Sequence, residues 1–443
     1  MYQQATGYLK EVIHRHKQGE ATGVYSICSS HPVVMRSAME YAWQKGKHVL
    51  IETTCNQVNQ FGGYTGHTPS SFVESLISIS KDASLPAGEI LLGGDHLGPY
   101  PWRDQPSETA MKAACEMVRR YVEAGFTKLH LDASIHCADD DHRAPLSAHV
   151  IAERIARLGK VAEQTSQSLG LRCVYVIGSE VPAPGGEVAA FCELKITTVA
   201  DVAETIAVTQ ASFIAHGLAE AWERTIAVVV QPGVEYGDQA VIGYQRQKAA
   251  ALSRFIESHA RLIYEAHSTD YQTAHALRSL VEDHFAILKV GPELTYAYRT
   301  AIFGLEQIEI QMARYLPAIE PSGLSRVIDE VMRRQPQHWQ SYYPSDDANA
   351  AFARQFSFSD RMRYYWPDRS VQAAIRKLFE NLGRQKIPLS LVNQYLPIQY
   401  QKVRDGSLAQ DPAAWVRDHI HLVLMKYDAA VGNGMSPRLG GDV

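Results

Sequence analysis

The chain has 443 residues, 46% of them hydrophobic and 21% charged, an ordinary balance for a soluble globular protein and enough length for a barrel with an appendage. A net charge of −5 and a pI near 6.4, with no dense Lys/Arg block, argue against a nucleic-acid binder. No apolar run approaches the ~18 residues of a membrane span, and the polar stretch Met1–Glu20 lacks the character of a signal peptide. Six cysteines (Cys28, Cys55, Cys115, Cys137, Cys173, Cys192) have no CxxC spacing. They read as reduced thiols of a cytoplasmic protein.

Short apolar runs alternate with helical patterns through the first two-thirds of the chain. The predicted strands are Gly23–Cys28, His48–Thr53, Glu89–Gly93, Lys128–Asp132, Arg172–Ile177, Ile226–Val230, Leu262–Glu265 and Phe285–Val290. They are apolar rather than alternating, as parallel strands covered on both faces are. The clearest helix is Ser107–Ala124, with Met111, Ala114, Cys115, Val118 and Val122 on one stripe and Gly125 at its end. Others are predicted over Pro32–Gly46, Pro69–Lys81, Leu146–Ser168, Val199–Glu223, Tyr244–Ala260, Tyr271–Asp283 and Pro292–Leu316. Eight strands, each followed by a helix, predict an α/β fold, a TIM (β/α)8 barrel over residues 1–318. An open doubly wound sheet is the runner-up. Beyond it, 319–443 read as a helical extension, with helices at Ser325–Arg334, Asp368–Leu382 and Pro412–Tyr427 among aromatic, turn-rich stretches.

Barrel chemistry sits at the carboxyl ends of the strands. Those ends hold Glu52 followed by Asn56 and Gln57, then Asp95-His96, Asp132 with Ser134, Ser179-Glu180, Gln231, Glu265-Ala266-His267-Ser268-Thr269-Asp270, and Lys289. So many carboxylates, amides and imidazoles on one rim need a cation or a polar ligand to organise them. His96, Glu180 and His267 are the expected ligands of a divalent metal (Zn, Mn, Ni or Co), two imidazoles and a carboxylate from alternate strands. Asp95 and Glu52 are the expected catalytic acids or bases. Asn56, Gln57, Asp132, Ser134, Gln231, Ser268, Asp270 and Lys289 are the expected substrate-binding residues. For Lys289 an ion pair with a rim carboxylate outweighs a Schiff-base role. A phosphate loop of the form G-x-x-x-x-G-K-[ST] is absent, which argues against a kinase.

The runs Cys28-Ser29-Ser30-His31-Pro32, Asn56-Gln57-Val58-Asn59-Gln60-Phe61-Gly62-Gly63-Tyr64 and Gly93-Gly94-Asp95-His96-Leu97-Gly98-Pro99 resemble the GatZ/KbaZ-like (Z-type) subunits of bacterial D-tagatose-1,6-bisphosphate aldolase. Glu265-Ala266-His267-Ser268-Thr269-Asp270, Ile287-Leu288-Lys289-Val290-Gly291-Pro292 and Tyr364-Tyr365-Trp366-Pro367 extend the likeness over nearly the whole chain. It implies a barrel related to class II aldolases and a role in galactitol or amino-sugar catabolism; an oligomer is expected. The resemblance carries two functional readings. One is an accessory subunit that supports a catalytic Y-type aldolase subunit acting on a ketose phosphate. The other is a stand-alone, metal-dependent ketose 4-epimerase interconverting tagatose and fructose, by cleavage and re-formation of C3–C4 or by proton transfer at C4. The segment Ser268-Thr269-Asp270-Tyr271 lacks the glycines with which class II aldolases close backbone N–H groups around a phosphate.

Overall fold

A computed structural model of the protein describes residues 3–179, 194–315, 319–344 and 346–432. Eight strands run in chain order: β1 (Val24–Ile27), β2 (Val49–Thr54), β3 (Ile90–Leu97), β4 (Lys128–Leu131), β5 (Val174–Gly178), β6 (Thr225–Val229), β7 (Ile263–Ala266) and β8 (Phe285–Val290). Each pairs in parallel with the next, and β8 pairs back onto β1, closing the barrel. The expected (β/α)8 architecture is present. Helices follow the strands close to their predicted spans, among them Pro32–Lys45, Pro69–Asp82, Ser107–Glu123, Ala148–Ser168 and Pro292–Tyr315. Proline in the first turn sets several of these starts, since its missing N–H is an orphan donor there anyway.

Two features depart from the sequence reading. The amino-terminal stretch is a helix, Gln3–Lys17. Its Leu9, Val12 and Ile13, spaced for one face, pack with Val24, Leu50, Leu91 and Val174 and close the amino end of the barrel. Its apolar stripe is narrow among polar residues, which leaves only a weak helical signal in the sequence. The second departure is the extension, which also contains helices Asp347–Phe356, Leu389–Tyr395 and Pro397–Arg404.

The extension returns to the barrel. Its last helix, Pro412–Val431, lies against the helices Pro32–Lys45, Ala274–Glu282 and Pro292–Tyr315. Tyr427 donates from its hydroxyl to the Thr269 carbonyl at 2.8 Å. The segment 357–364 reaches the barrel mouth instead: Tyr271 donates to the Phe358 carbonyl (2.6 Å), and Ser357 donates to Asp238 (2.7 Å). Asp238 lies in the turn of a small hairpin, Glu235–Tyr236 with Val241–Ile242, that follows β6.

The carboxyl ends of β3 and β4 come together most tightly at Gly98. A Cβ there would stand 1.7 Å from the Asp132 carbonyl oxygen, a distance no side chain can share with backbone. Gly98→Ala therefore destabilises the protein by about 1–3 kcal/mol or more through forced backbone displacement, read as a lowered Tm with loss of any metal bound nearby.

Candidate functional site

β3 does not stop at its glycines but continues through Asp95-His96 to Leu97. Neighbouring side chains of a regular strand face opposite ways. Here the pairing with β4 shifts between Gly94 and Leu97, and His96 takes a left-handed φ of +46°. This irregularity lets Asp95 and His96 both line one cavity of about 960 Å³ at the barrel mouth. Gly93 is part of the device, because a Cβ there would meet the Glu52 side chain at 2.6 Å.

His96 and His267 meet in this cavity. His96 Nδ1 stands 2.7 Å from Asp132 Oδ2, and His267 Nε2 stands 3.0 Å from Glu265 Oε1. A carboxylate only accepts, so each carboxylate holds a proton on the nitrogen facing it. The remaining nitrogens, His96 Nε2 and His267 Nδ1, point at each other across 3.0 Å. Two lone pairs so placed require a proton or a cation between them. Two nitrogens on one ion at about 2.0–2.1 Å each stand about 3.3 Å apart at a tetrahedral angle, so a small adjustment would admit a divalent cation. Carboxylates behind imidazoles are the usual outer support of such a site. Asp95, His96, His130 and His267 all have ligand atoms within 4.8 Å of one another, so this buried cluster has the donor set to hold a metal.

Beneath the cavity lies a buried charge network. Lys128 Nζ stands 2.8 Å from Glu52 and 2.6 Å from Glu265. Lys289 pairs with Glu52, with Asp95 at 3.0 Å and with Glu265 at 3.5 Å. Burial opposes the charges of Lys128, Lys289, Asp95 and Glu265, but the pairing outweighs it. Lys289 and the two imidazoles hold Asp95 well below the usual carboxylate range, and the carboxylates keep Lys289 protonated. A protonated amine clasped by carboxylates is the ion-pair arrangement, not that of a Schiff-base nucleophile. Burial pushes His267 down to about 4, whereas for His96 the effect of burial is overcome by Asp95 and Asp132, which raise it.

The expected site residues divide. Asp95, His96, His267, Asn56, Gln57, Asp132, Ser134, Ser268, Asp270 and Lys289 all line the cavity. Asp132 is committed to other groups, with one oxygen on His96 and the other accepting from the Ser134 N–H (2.9 Å) and hydroxyl (2.7 Å). It orients His96. Glu52 is fully buried in the layer below, engaged by the two lysines. The Gln231 side-chain carbonyl accepts the Gly233 and Val234 N–H groups at 2.8 and 3.0 Å, holding a turn. Glu180 lies outside the described residues, as does Cys192. Two interior residues beyond those expected belong to the site. His130 joins Asp95 (2.9 Å) to the Gly178 carbonyl (2.9 Å), and Lys128 joins the carboxylates below. Their signal was present: Lys128-Leu129-His130-Leu131 alternates polar and apolar in a strand that should be covered on both faces.

The fold and this cluster define a (β/α)8 barrel with a buried histidine–carboxylate centre at its carboxyl mouth. The chain belongs to the D-tagatose-1,6-bisphosphate aldolase subunit GatZ/KbaZ-like family, whose model matches residues 9–432. A probable tagatose 6 phosphate kinase from Sinorhizobium meliloti 1021 is 43% identical, with a TM-score of 0.84 over 92% of this chain and 100% of its own. The fructuronate-tagaturonate epimerase UxaE from Cohnella laeviribosi matches at 12% identity and a TM-score of 0.47, over 92% of this chain and 81% of its own. The YdjI aldolase from Escherichia coli K12 matches at 11% and 0.42, over 86% and 98%. The last two are too distant to bear on function. Among the described residues no helix is long and apolar enough to cross a membrane.

Two outcomes follow from the geometry. Metal analysis of the purified protein will find a divalent ion bound or readily taken up. Asp132→Asn, which removes the carboxylate behind His96, will weaken its affinity by about 10–100-fold, and His267→Ala will weaken it further. The second concerns Asp270, whose Oδ1 accepts the Gly291 and Glu293 N–H groups at 2.9 and 2.8 Å. Burial, reinforced by Glu293, raises it from 3.8 to about 7. The folded state thus holds a proton that the unfolded chain has released. The stability from that proton is complete below the unfolded value and lost as pH rises through the folded one. Asp270→Asn keeps the acceptor oxygen and has nothing to ionise, so its Tm relative to the native protein will rise between about pH 4 and about pH 7 and level off above that.

Proposed function

We propose that this chain is itself an enzyme, a divalent-metal-dependent epimerase acting on C3–C4 of an open-chain ketose such as tagatose or fructose. The observation that carries the reading is the pair of imidazole lone pairs held face to face by Asp132 and Glu265. A site without a function has no reason to keep two outer carboxylates aligned behind two ligands. A divalent ion held by His96 and His267, with the Asp95 carboxylate beside them, would polarise a ketose carbonyl and stabilise the negative charge that develops on it.

The residues of the chain do the rest. Asp95 is ionised, lines the cavity and is held by Lys289 and His130, so it is placed to take the proton of the C4 hydroxyl. As that proton leaves, the C3–C4 bond breaks and its electron pair moves toward the C2 carbonyl. Rotation of the aldehyde half and return of the proton from Asp95 re-form the bond with C4 inverted. Asn56, Gln57 and Ser268 stand around the cavity where sugar hydroxyls would lie. The second reading, support of a separate aldolase subunit, is favoured by the family's name.

Incubation of the purified chain with tagatose or fructose and Mn, Ni, Co or Zn separates the two. Interconversion that falls by at least about 100-fold in His267→Ala and Asp95→Asn supports the epimerase. Absence of conversion, combined with increased activity of an added Y-type subunit, establishes the accessory role instead.

A further inference from the structure

Resting on the reading of this cavity as a ketose site, we propose that the segment 357–364 of the extension supplies its anion-binding end. Arg363 would hold the phosphate or carboxylate of a charged ketose derivative. Arg363 lines the same cavity as His96 and His267, beside Tyr64, Tyr236 and Tyr364. Its Nη1 donates to the Ser359 and Asp360 carbonyls, and its Nη2 donates to the Tyr364 hydroxyl at 2.9 Å. A guanidinium has five N–H donors, and these bonds use three. Among the described residues the other two have no hydrogen-bond partner, on a side chain that lines the cavity.

The missing counter-ion sets it apart from four arginines of the interior. Arg154, Arg224, Arg299 and Arg354 are buried, and each is paired with a carboxylate: Asp140, Glu163, Asp360 and Asp329 respectively. Arg363 is partly buried, and among the described residues no carboxylate forms an ion pair with it. The nearest in sequence, Asp360, is spent on Arg299 at 2.9 Å and on Thr295. Holding a cation away from water without a counter-ion is costly, unless an anion arrives to occupy the place. A planar guanidinium with free donors suits a phosphate or a carboxylate, either of which can take two parallel hydrogen bonds.

The side chain is also preorganised. Asp360 sits at φ +45° and is anchored by Arg299, while the Tyr271 hydroxyl fixes the Phe358 carbonyl at 2.6 Å. Tyr64 stacks edge-on to Tyr364 at 4.8 Å between ring centroids, tying the loop after β2 to the same segment. The loop after β7 lacks glycines for a phosphate cradle, and this segment supplies a cationic alternative from outside the eight-fold repeat.

Calorimetric titration of the full chain with D-fructose, D-fructose 6-phosphate and D-fructuronate tests the proposal. The native protein is expected to bind one of the two charged ligands about 10–100-fold more tightly than the neutral sugar. Preference for the first assigns a phosphate, and preference for the second assigns a carboxylate. Arg363→Met should reduce that ratio toward one, and Arg363→Lys, which keeps charge but not the planar fork, should leave it intermediate. Equal affinity for charged and neutral sugars in the native protein, or an unchanged ratio in either folded variant, overturns the proposal. His267→Ala retains Arg363, so its charge preference persists whether or not the metal chemistry proves correct, and the two readings fail separately.

Discussion

Two ammonium groups and three carboxylates share the barrel interior, and everything above them depends on their mutual attraction. Lys128, Lys289, Glu52, Glu265 and Asp95 are all nearly inaccessible to water. Any one alone would be intolerable there, because loss of hydration far exceeds what isolated dipoles return. Together they form a lattice in which each charge fixes the geometry of the next. Glu265 is the hinge of that lattice: one oxygen meets Lys128, and the other meets His267. The orientation of a cavity-lining imidazole is therefore set by a lysine it never touches. Removing a single member leaves an uncompensated neighbour, so the network resists piecemeal change.

Much of this organisation could be read from the amino-acid sequence, for a physical reason. Parallel strands buried on both faces have no freedom to be polar except where they emerge, so polar residues at the ends of apolar runs mark the rim. Asp95-His96, His267 and Lys289 were visible in that way, and Phe285–Val290 was bounded to the residue. What the pattern could not show was how one side chain constrains another. Gln231 and Asp132 have the chemistry of sugar ligands, yet one closes a turn and the other steadies an imidazole. The assumption that a strand ends at its glycines also failed at β3. There a shifted register carries the strand onward and turns consecutive residues to the same side. His130 escaped notice because it lies inside a strand rather than at its tip.

The extension was legible as helices but not as part of the site. Helical periodicity reports which face is apolar and is silent about short irregular loops. Arg361-Met362-Arg363-Tyr364 forms a single 3-10 turn whose position is set by contacts remote in sequence, from Thr295, Arg299 and Tyr271. The barrel provides the reactive floor and the extension one wall. The aromatic run after Asp360 thereby docks the extension and shapes the cavity at once: Trp366 is buried against Tyr298 while Tyr364 faces the opening.

The return of the final helix to the start of the barrel has a consequence for biosynthesis. The Gly23 N–H and the Thr22 hydroxyl both donate to the Val431 carbonyl, joining groups some 409 positions apart. Such closure demands that distant parts of the polypeptide be available at the same moment, the costliest kind of pairing to achieve during folding. An emerging chain can wind its early strand–helix units on the ribosome, but β1 lacks this clasp until the Pro412–Val431 helix has been made. Its final locking therefore waits on residues made long after the strand itself, and until then the first strand is held by its barrel neighbours alone.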